Sequence, residues 1–245
     1  MRFYPVDLEA RRESGGYTLL SYRWPEGSVQ PGQFVMARVA GYPVTLDPFL
    51  ARPFSFYDYD GEVASLLFEV RGRGTMLLDR AQDGIEVSAP LGRGFEIEVN
   101  GGPAALLGGG IGVAPLKILS RRLTDLDVSH DIFLGFADSR FAAVAEEFPG
   151  AKVATVDGSE GTCGTVLDVV PDFDRYRAVY ACGPNPMLAA VKAAAGEDCA
   201  CQLSVEERMG CGNGSCNGCV VPVRDGGYVR SCIEGPVFRA EVLAW

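Results

Sequence analysis

The chain has 245 residues, a formal charge of −10 and an ordinary globular composition, 47% hydrophobic and 22% charged, with eight cysteines and one histidine. That length suits about two domains, or one plus an appended module, and an acidic chain with no basic face argues against nucleic acid as a partner. There is no apolar run of membrane-spanning length and no N-terminal signal-peptide pattern, so a cytoplasmic, reducing location is expected, where thiols serve metals rather than disulfides.

The first hundred residues read as β-rich. Short apolar alternations recur at Phe3–Leu8, Tyr17–Tyr22, Phe34–Val39, Phe54–Tyr57, Val63–Val70 and Ile85–Ala89, separated by turns such as Pro31-Gly32 and Asp60-Gly61. Regular short strands without helical periodicity suggest a small antiparallel barrel. Two places in it look chemical. Arg52-Pro53-Phe54-Ser55 sets a cation, a rigid ring and a hydroxyl at a strand start. Arg71-Gly72-Arg73-Gly74-Thr75 exposes backbone amides, with Thr75 placed to cap a helix at Met76–Ala81 and to donate to a phosphate. Either string alone is also what an ordinary loop looks like.

From Gly101 strands and helices alternate, the pattern of a parallel α/β sheet. The strand Ala104–Leu107 runs into Gly108-Gly109-Gly110-Ile111-Gly112 and a helix at Leu116–Leu123. A glycine turn at a helix N-terminus can hold a pyrophosphate, although Val113 stands where the dinucleotide fingerprint has its last glycine. His130 precedes the next strand, Asp131–Phe136, and is expected at a strand edge. With a single histidine, Ser-His-Asp hydrolysis is disfavoured. Hydride transfer between cofactors needs no protein acid or base, so no catalytic residue is assigned. A helix at Phe141–Phe148, a strand at Lys152–Val156, a helix start at Thr165–Val170, a strand at Arg177–Ala181 and a helix at Leu188–Ala195 follow. Cys182-Gly183-Pro184, at the end of one strand, faces the same crevice as the Gly108 turn. In the loop Ala137-Asp138-Ser139-Arg140, Asp138 suits a ribose 2′-OH, whereas Ser139 and Arg140 suit a 2′-phosphate.

A last strand, Cys201–Val205, leads to Cys211, Cys216, Cys219 and Cys232, spaced C-x4-C-x2-C-x12-C. Plant-type ferredoxins use a C-x4-C-x2-C run and a distant fourth cysteine for [2Fe–2S], whereas zinc sites usually present two close C-x2-C pairs. Gly210, Gly212, Gly214 and Gly218 suit a loop that turns sharply around a small inorganic core. Val220–Val223 and Tyr228–Cys232 read as strands flanking a turn. Cys163, Cys199 and Cys201 are left over, most simply as small buried apolar residues.

In this order the pieces resemble the ferredoxin reductase superfamily, and within it the family of electron transfer subunits of dihydroorotate dehydrogenase B. The resemblance covers essentially the whole chain. It rests on Arg52–Ser55, Gly74-Thr75, Pro90-Leu91-Gly92, the Gly108–Gly112 turn, Asp157-Gly158-Ser159 and Cys182-Gly183-Pro184. Most specific is Ser204–Gly212 with Cys216, Cys219, Cys232 and Gly235-Pro236-Val237-Phe238. It implies a multidomain β + α/β fold: a ferredoxin-reductase-like FAD-binding barrel (1–100), a parallel NAD-binding α/β sheet (101–205) and a small C-terminal [2Fe–2S] module (206–245). Arg52, Pro53, Phe54 and Ser55 would lie beside the flavin, which Leu67, Phe68 and Glu69 would line, with Gly74 and Thr75 at its pyrophosphate. Gly109, Gly110, Gly112, Cys182, Gly183 and Pro184 would hold NAD, and the four cysteines the cluster. The family pairs with an FMN-containing catalytic subunit, as a heterotetramer, that oxidises dihydroorotate for pyrimidine synthesis; electrons would pass through the cluster and FAD to NAD. Related small flavin and iron–sulfur subunits of the ferredoxin:NADP or sulfide dehydrogenase type share this layout, but tend to place Asp where Cys211 stands.

Overall fold

The inner N-terminal strands are buried in runs rather than on alternate residues, as strands covered on both faces are. β1 (Phe3–Val6), β2 (Leu8–Ser14), β3 (Tyr17–Arg23), β4 (Phe34–Val39), β5 (Arg52–Tyr59), β6 (Val63–Phe68) and β7 (Ile85–Ser88) form one antiparallel sheet, ordered β1-β7-β4-β5-β6-β3-β2. The computed structural model describes residues 1–40, 47–82, 84–98, 102–196 and 199–245. Val6, Leu20, Val35, Phe56, Leu66 and Val87, one from each of six strands, bury together as the interior of the expected barrel. The expected strand Phe3–Leu8 is divided: β1 stops at Val6, and Leu8 opens β2. β2 reads LEARRES and is largely exposed. Charge on an edge strand blocks pairing with other chains, and it also hides the strand from a hydrophobicity reading. Helix α1 runs Arg73–Asp79 rather than Met76–Ala81. Thr75 therefore lies inside its first turn, where its hydroxyl oxygen accepts the N–H groups of Arg71 (3.0 Å) and Gly72 (3.1 Å).

The second half is the expected α/β sheet. It contains β8 (Ala104–Gly109), β9 (His130–Phe136), β10 (Lys152–Thr155), β11 (Thr162–Cys163), β12 (Ala178–Gly183) and β13 (Ala200–Val205). After a two-stranded ribbon, β14 (Val220–Pro222) and β15 (Tyr228–Arg230), the chain returns as β16 (Val237–Arg239). The order is β11-β10-β9-β8-β12-β13-β16, parallel except for β16, which pairs antiparallel with β13. Strand order reverses between β8 and β12, the switch point where open α/β sheets bind ligands at their strand ends. Helices α2 (Ala114–Asp125), α3 (Ser139–Ala142) and α4 (Asn185–Ala195) flank the sheet. The helix expected over Phe141–Phe148 is shorter: after α3 the chain tightens into a 3-10 turn at Ala143–Glu147. There Phe148 turns inward to meet the Tyr57 ring, centroids 6.3 Å apart. Thr165–Val170 likewise holds only a 3-10 segment, Val166–Val169, closed by the Thr165 hydroxyl on Asp168.

The two sheets share a core. Tyr17, Leu19, Tyr57 and Leu67 of the barrel bury with Leu106, Leu116 and Leu119 of the α/β part, and Ile118 of α2 enters the barrel interior. Ion pairs Arg12–Glu147 (2.8 Å) and Arg121–Asp58 (2.6 Å) flank this seam. The boundary expected between residues 100 and 101 lies outside the described residues. Among the described residues no helix is long and apolar enough to cross a membrane.

Candidate functional site

Between the sheets opens a cavity of about 270 Å³. The barrel contributes Pro53, Phe54 and Ser55 from β5, Leu67, Phe68 and Glu69 from β6 and its exit, and Thr75 from α1. The α/β part contributes Ile111, Ala114 and Pro115 at the start of α2, and Cys182 at the end of β12. Consecutive residues at the start of β5 and the end of β6 border the crevice, so it opens across strand ends rather than over one sheet face. Helix α2, entered through a 3-10 turn at Gly110–Val113, presents its N-terminal end there. Eight of the residues expected to bind cofactor thus meet in one place, on both sides of the seam. Arg52 stands behind them: its guanidinium covers Gly74, where an added Cβ would come within 2.9 Å of Nε.

The glycines expected around the nucleotide have two separate physical roles. Gly110 has φ +56° and nothing within 4 Å of an added Cβ, so it supplies a left-handed turn open to a ligand. Gly112 is packed: an added Cβ would lie 2.2 Å from the Cys182 carbonyl oxygen. Gly109 and Gly183 approach each other the same way, with 3.2 Å between an added Cβ on Gly183 and the Gly109 backbone. The two β–α turns at the switch point therefore interlock, and Pro184 closes them, its ring 3.1 Å from an added Gly109 Cβ.

Cys182 is buried, and its sulfur lies 4.0 Å from Glu206 Oε1. Burial, reinforced by Glu206, pushes the Cys182 thiol well up. The Glu206 side chain opens onto the cavity, yet the walls crowded around it raise its carboxyl against the opposing pull of Arg71.

The four C-terminal cysteines come together as two pairs. The Cys216 amide points at Cys211 Sγ (3.4 Å), and the Gly218 amide at Cys216 Sγ (3.4 Å). Cys219 and Cys232 are free thiols, 2% and 1% exposed, in side-chain contact with each other. Among the described residues no three Cys, His, Asp or Glu side chains converge on one point as a single-ion site requires. A two-iron cluster takes four thiolates over two irons, and this donor set fits it. Burial opposes ionisation of Cys211, but amides of Asn213, Cys216 and Ser215 overcome it and bring the thiol down to about 6. In Cys232 burial and the Cys219 contact push the thiol up to about 12. Of the four glycines read as turn-makers, Gly212 (φ +65°) and Gly214 (φ +79°) are left-handed. Gly210 and Gly218 are under no such constraint: an added Cβ would stand at ordinary contact distance, 3.7 and 3.5 Å, from Cys216 Sγ.

At the end of β9, Asp138 caps α3, accepting the amides of Arg140 (2.9 Å) and Phe141 (3.3 Å). Ser159 Oγ accepts the Ser139 amide at 2.7 Å, and the Arg140 guanidinium lies over the Phe141 ring. Cys201 is buried as expected and Cys199 half-buried, but Cys163 is exposed beside Gly158, on the two-residue edge strand β11. His130 opens β9 and bonds Ser120 and the Val128 carbonyl. A larger recess, about 760 Å³ around Lys192, Cys199 and Cys201, lies at the opposite ends of the strands from the switch point.

Residues 206–244 match the family model for the iron–sulfur cluster binding domain of dihydroorotate dehydrogenase B. The electron transfer subunit of dihydroorotate dehydrogenase B (NAD(+)) from Bacillus caldolyticus is 42% identical over 90% of this chain and 89% of its own. The subunit so named from Caldanaerobacter subterraneus subsp. tengcongensis is 36% identical over 96% and 95%. The chain belongs to this family. Among solved structures, a chain of an NADH-dependent reduced ferredoxin–NADP oxidoreductase superposes with TM-score 0.83 at 25% identity, covering 99% of this chain and 90% of that one. Phthalate dioxygenase reductase shares the fold, with TM-score 0.62 at 14% identity over 94% of each chain.

Within this electron transfer subunit the structure adds residues that sequence reasoning did not single out as site residues. Phe34 lines the cavity and also packs with Met36 against Cys219 and Cys232. Met209 also lines the cavity and packs, half-buried, against the same group. Glu206, Glu207 and Pro236 complete the wall. Met209 and Glu206 fall in the string Ser204–Gly212 that carried the resemblance. Phe34 had only a strand alternation to mark it.

Proposed function

We propose that the chain is the electron outlet of a two-component dihydroorotate dehydrogenase. It receives electrons from an FMN-containing catalytic subunit that oxidises dihydroorotate to orotate and delivers them to NAD+ in pyrimidine synthesis. The observation that carries this reading is the wall shared by cavity and cysteines: Phe34 and Met209 touch both. When bound, FAD exchanges hydride for single electrons and a [2Fe–2S] cluster carries electrons singly.

The residues divide the work. Pro53, Phe54, Ser55, Leu67, Phe68 and Glu69 hold and orient the flavin, with Arg52, Gly74 and Thr75 at its phosphates. Gly109, Gly110, Gly112, Cys182, Gly183 and Pro184 seat the nicotinamide nucleotide at the switch point, and the shared core beneath excludes water. Cys211, Cys216, Cys219 and Cys232 ligate the cluster. The modules run 1–100, 101–205 and 206–245. Amides already filled by Asp138 and Ser159, beside a carboxylate, support NAD over NADP. The chain works in the cytoplasm, as two copies with two catalytic subunits.

The test uses the protein from its native host with whatever co-purifies. Dihydroorotate and NAD are mixed with it without oxygen, and reduced nicotinamide absorbance is followed. NADH should form and should depend on this chain. Flavin and cluster without NADH formation would remove the dihydroorotate partner and leave the fold and cofactors.

A further inference from the structure

Ser231 is 0% exposed, and its Oγ has no hydrogen-bond partner among the described residues. The rest of its neighbourhood is settled. Its amide donates to the Cys219 carbonyl at 2.9 Å, and Cys232 follows it in the chain. The residue is thus tied to the third cysteine by a hydrogen bond and to the fourth by a peptide bond. Arg230 beside it is fully engaged, donating its amide to Glu234 (2.7 Å), its guanidinium to the same carboxylate, and one N–H to the Gly214 carbonyl (3.3 Å). A hydroxyl buried without a partner is costly, and nearly all buried polar groups have one. The described residues supply no partner for it, and its place in the chain is between the third and fourth of the four cysteines. A seryl hydroxyl can rotate to meet an acceptor when it arrives.

We propose that the Ser231 hydroxyl is a donor reserved for a sulfur of the iron–sulfur group and that it raises the group's reduction potential. This rests on the cluster reading above and deepens it. Reduction adds negative charge to the sulfurs, so a hydrogen bond to one of them favours the reduced form; such bonds are among the terms that set iron–sulfur potentials. Ser231 acts here as a positioning and tuning residue. It ligates nothing.

The test compares full-length wild type, Ser231→Ala, Ser231→Thr and Ser231→Val, each with its co-purifying partner. The readouts are a mediated redox titration followed by EPR of the reduced cluster, and exchangeable-proton couplings in H2O against D2O. Ser231→Ala should make cluster reduction about tenfold less favourable, a downward shift of about 59 mV for one electron, and should lose one exchangeable coupling. Ser231→Thr should restore both, and Ser231→Val, its isostere, should not; Val replaces Ala as the test if Ala fails to fold. Wild-type potential and couplings in the hydroxyl-free variants overturn the proposal. A wild type without iron and sulfide overturns the cluster reading itself, and this inference with it.

Discussion

Tyr57 donates its hydroxyl to Glu147 at 2.8 Å, from a barrel strand to the α/β half of the chain. Arg12 pairs with the same carboxylate at 2.8 Å, and Lys117 donates to the Glu147 carbonyl. Burial works against the Glu147 charge, but Arg12 and Tyr57 outweigh it and hold the carboxyl below its usual range. A depressed folded value means stability that is complete above the ordinary value of about 4.3 and fades as pH falls through the folded one. Glu147→Gln should therefore cost about 1.5–3 kcal/mol at neutral pH. Urea unfolding across a pH series should show the gap to wild type closing in acid. A gap independent of pH would contradict the ionic account.

Gly112 and Gly110 make a paired test of the switch-point turn. In Gly112→Ala the new methyl would meet the Cys182 carbonyl, backbone that cannot rotate aside. Overpacking of this kind costs about 1–3 kcal/mol or more. Gly110→Ala meets open space and carries only the left-handed strain, about 1–2 kcal/mol. Thermal melts should rank Gly112→Ala as the less stable. Gly110→Ala should instead show its effect in nucleotide affinity.

Asp138 should decide between NAD and NADP. Asp138→Ser keeps an oxygen to cap α3 and removes the charge. Its kcat/KM ratio for NADP over NAD should rise about tenfold, roughly 1.4 kcal/mol. An unchanged ratio would move discrimination to another part of the cleft.

The two cysteine pairs should answer mutation differently. Cys216 is exposed, so Cys216→Ser should abolish iron and sulfide while NADH still reduces the flavin. Cys219 is buried against Phe34 and Met36, so Cys219→Ser should also lower the melting temperature. Iron, sulfide and flavin content, with stopped-flow reduction by NADH, separate the cases. Equal loss of flavin reduction in Cys216→Ser would contradict independent sites.

Much of the architecture was legible because local pattern and global fold agree. Alternation marked the barrel strands, glycine turns marked the switch point, and cysteine spacing marked the cluster loop. Features that needed the third dimension were not. β2 is charged along its length because it is an edge, and nothing local says that LEARRES is a strand. Phe34 and Cys219 are neighbours across most of the chain's length, so no window of sequence joins them. Arg12, Tyr57 and Glu147 are three ordinary polar residues until the two halves are docked. Thr75 fell inside its helix because the helix begins at Arg73, a boundary that propensity alone does not fix.

The return of β16 to β13 bears on how such a chain can be built. Ser204 pairs with Val237, and the Val205 amide donates to the Pro236 carbonyl at 3.0 Å. The segment carrying all four cysteines thus departs from and re-enters the sheet at a single doorway, as cargo slung between two strands of a hairpin. The cargo is nonetheless packed on both sides: Val221 enters the α/β core, Cys219 and Cys232 bury against Phe34 and Met36 of the barrel, and Met209 lines the cavity, so the segment touches both sheets. Exchanging it for one of another potential therefore means keeping the Val221, Cys219 and Cys232 contacts, the side of the segment that faces the two cores.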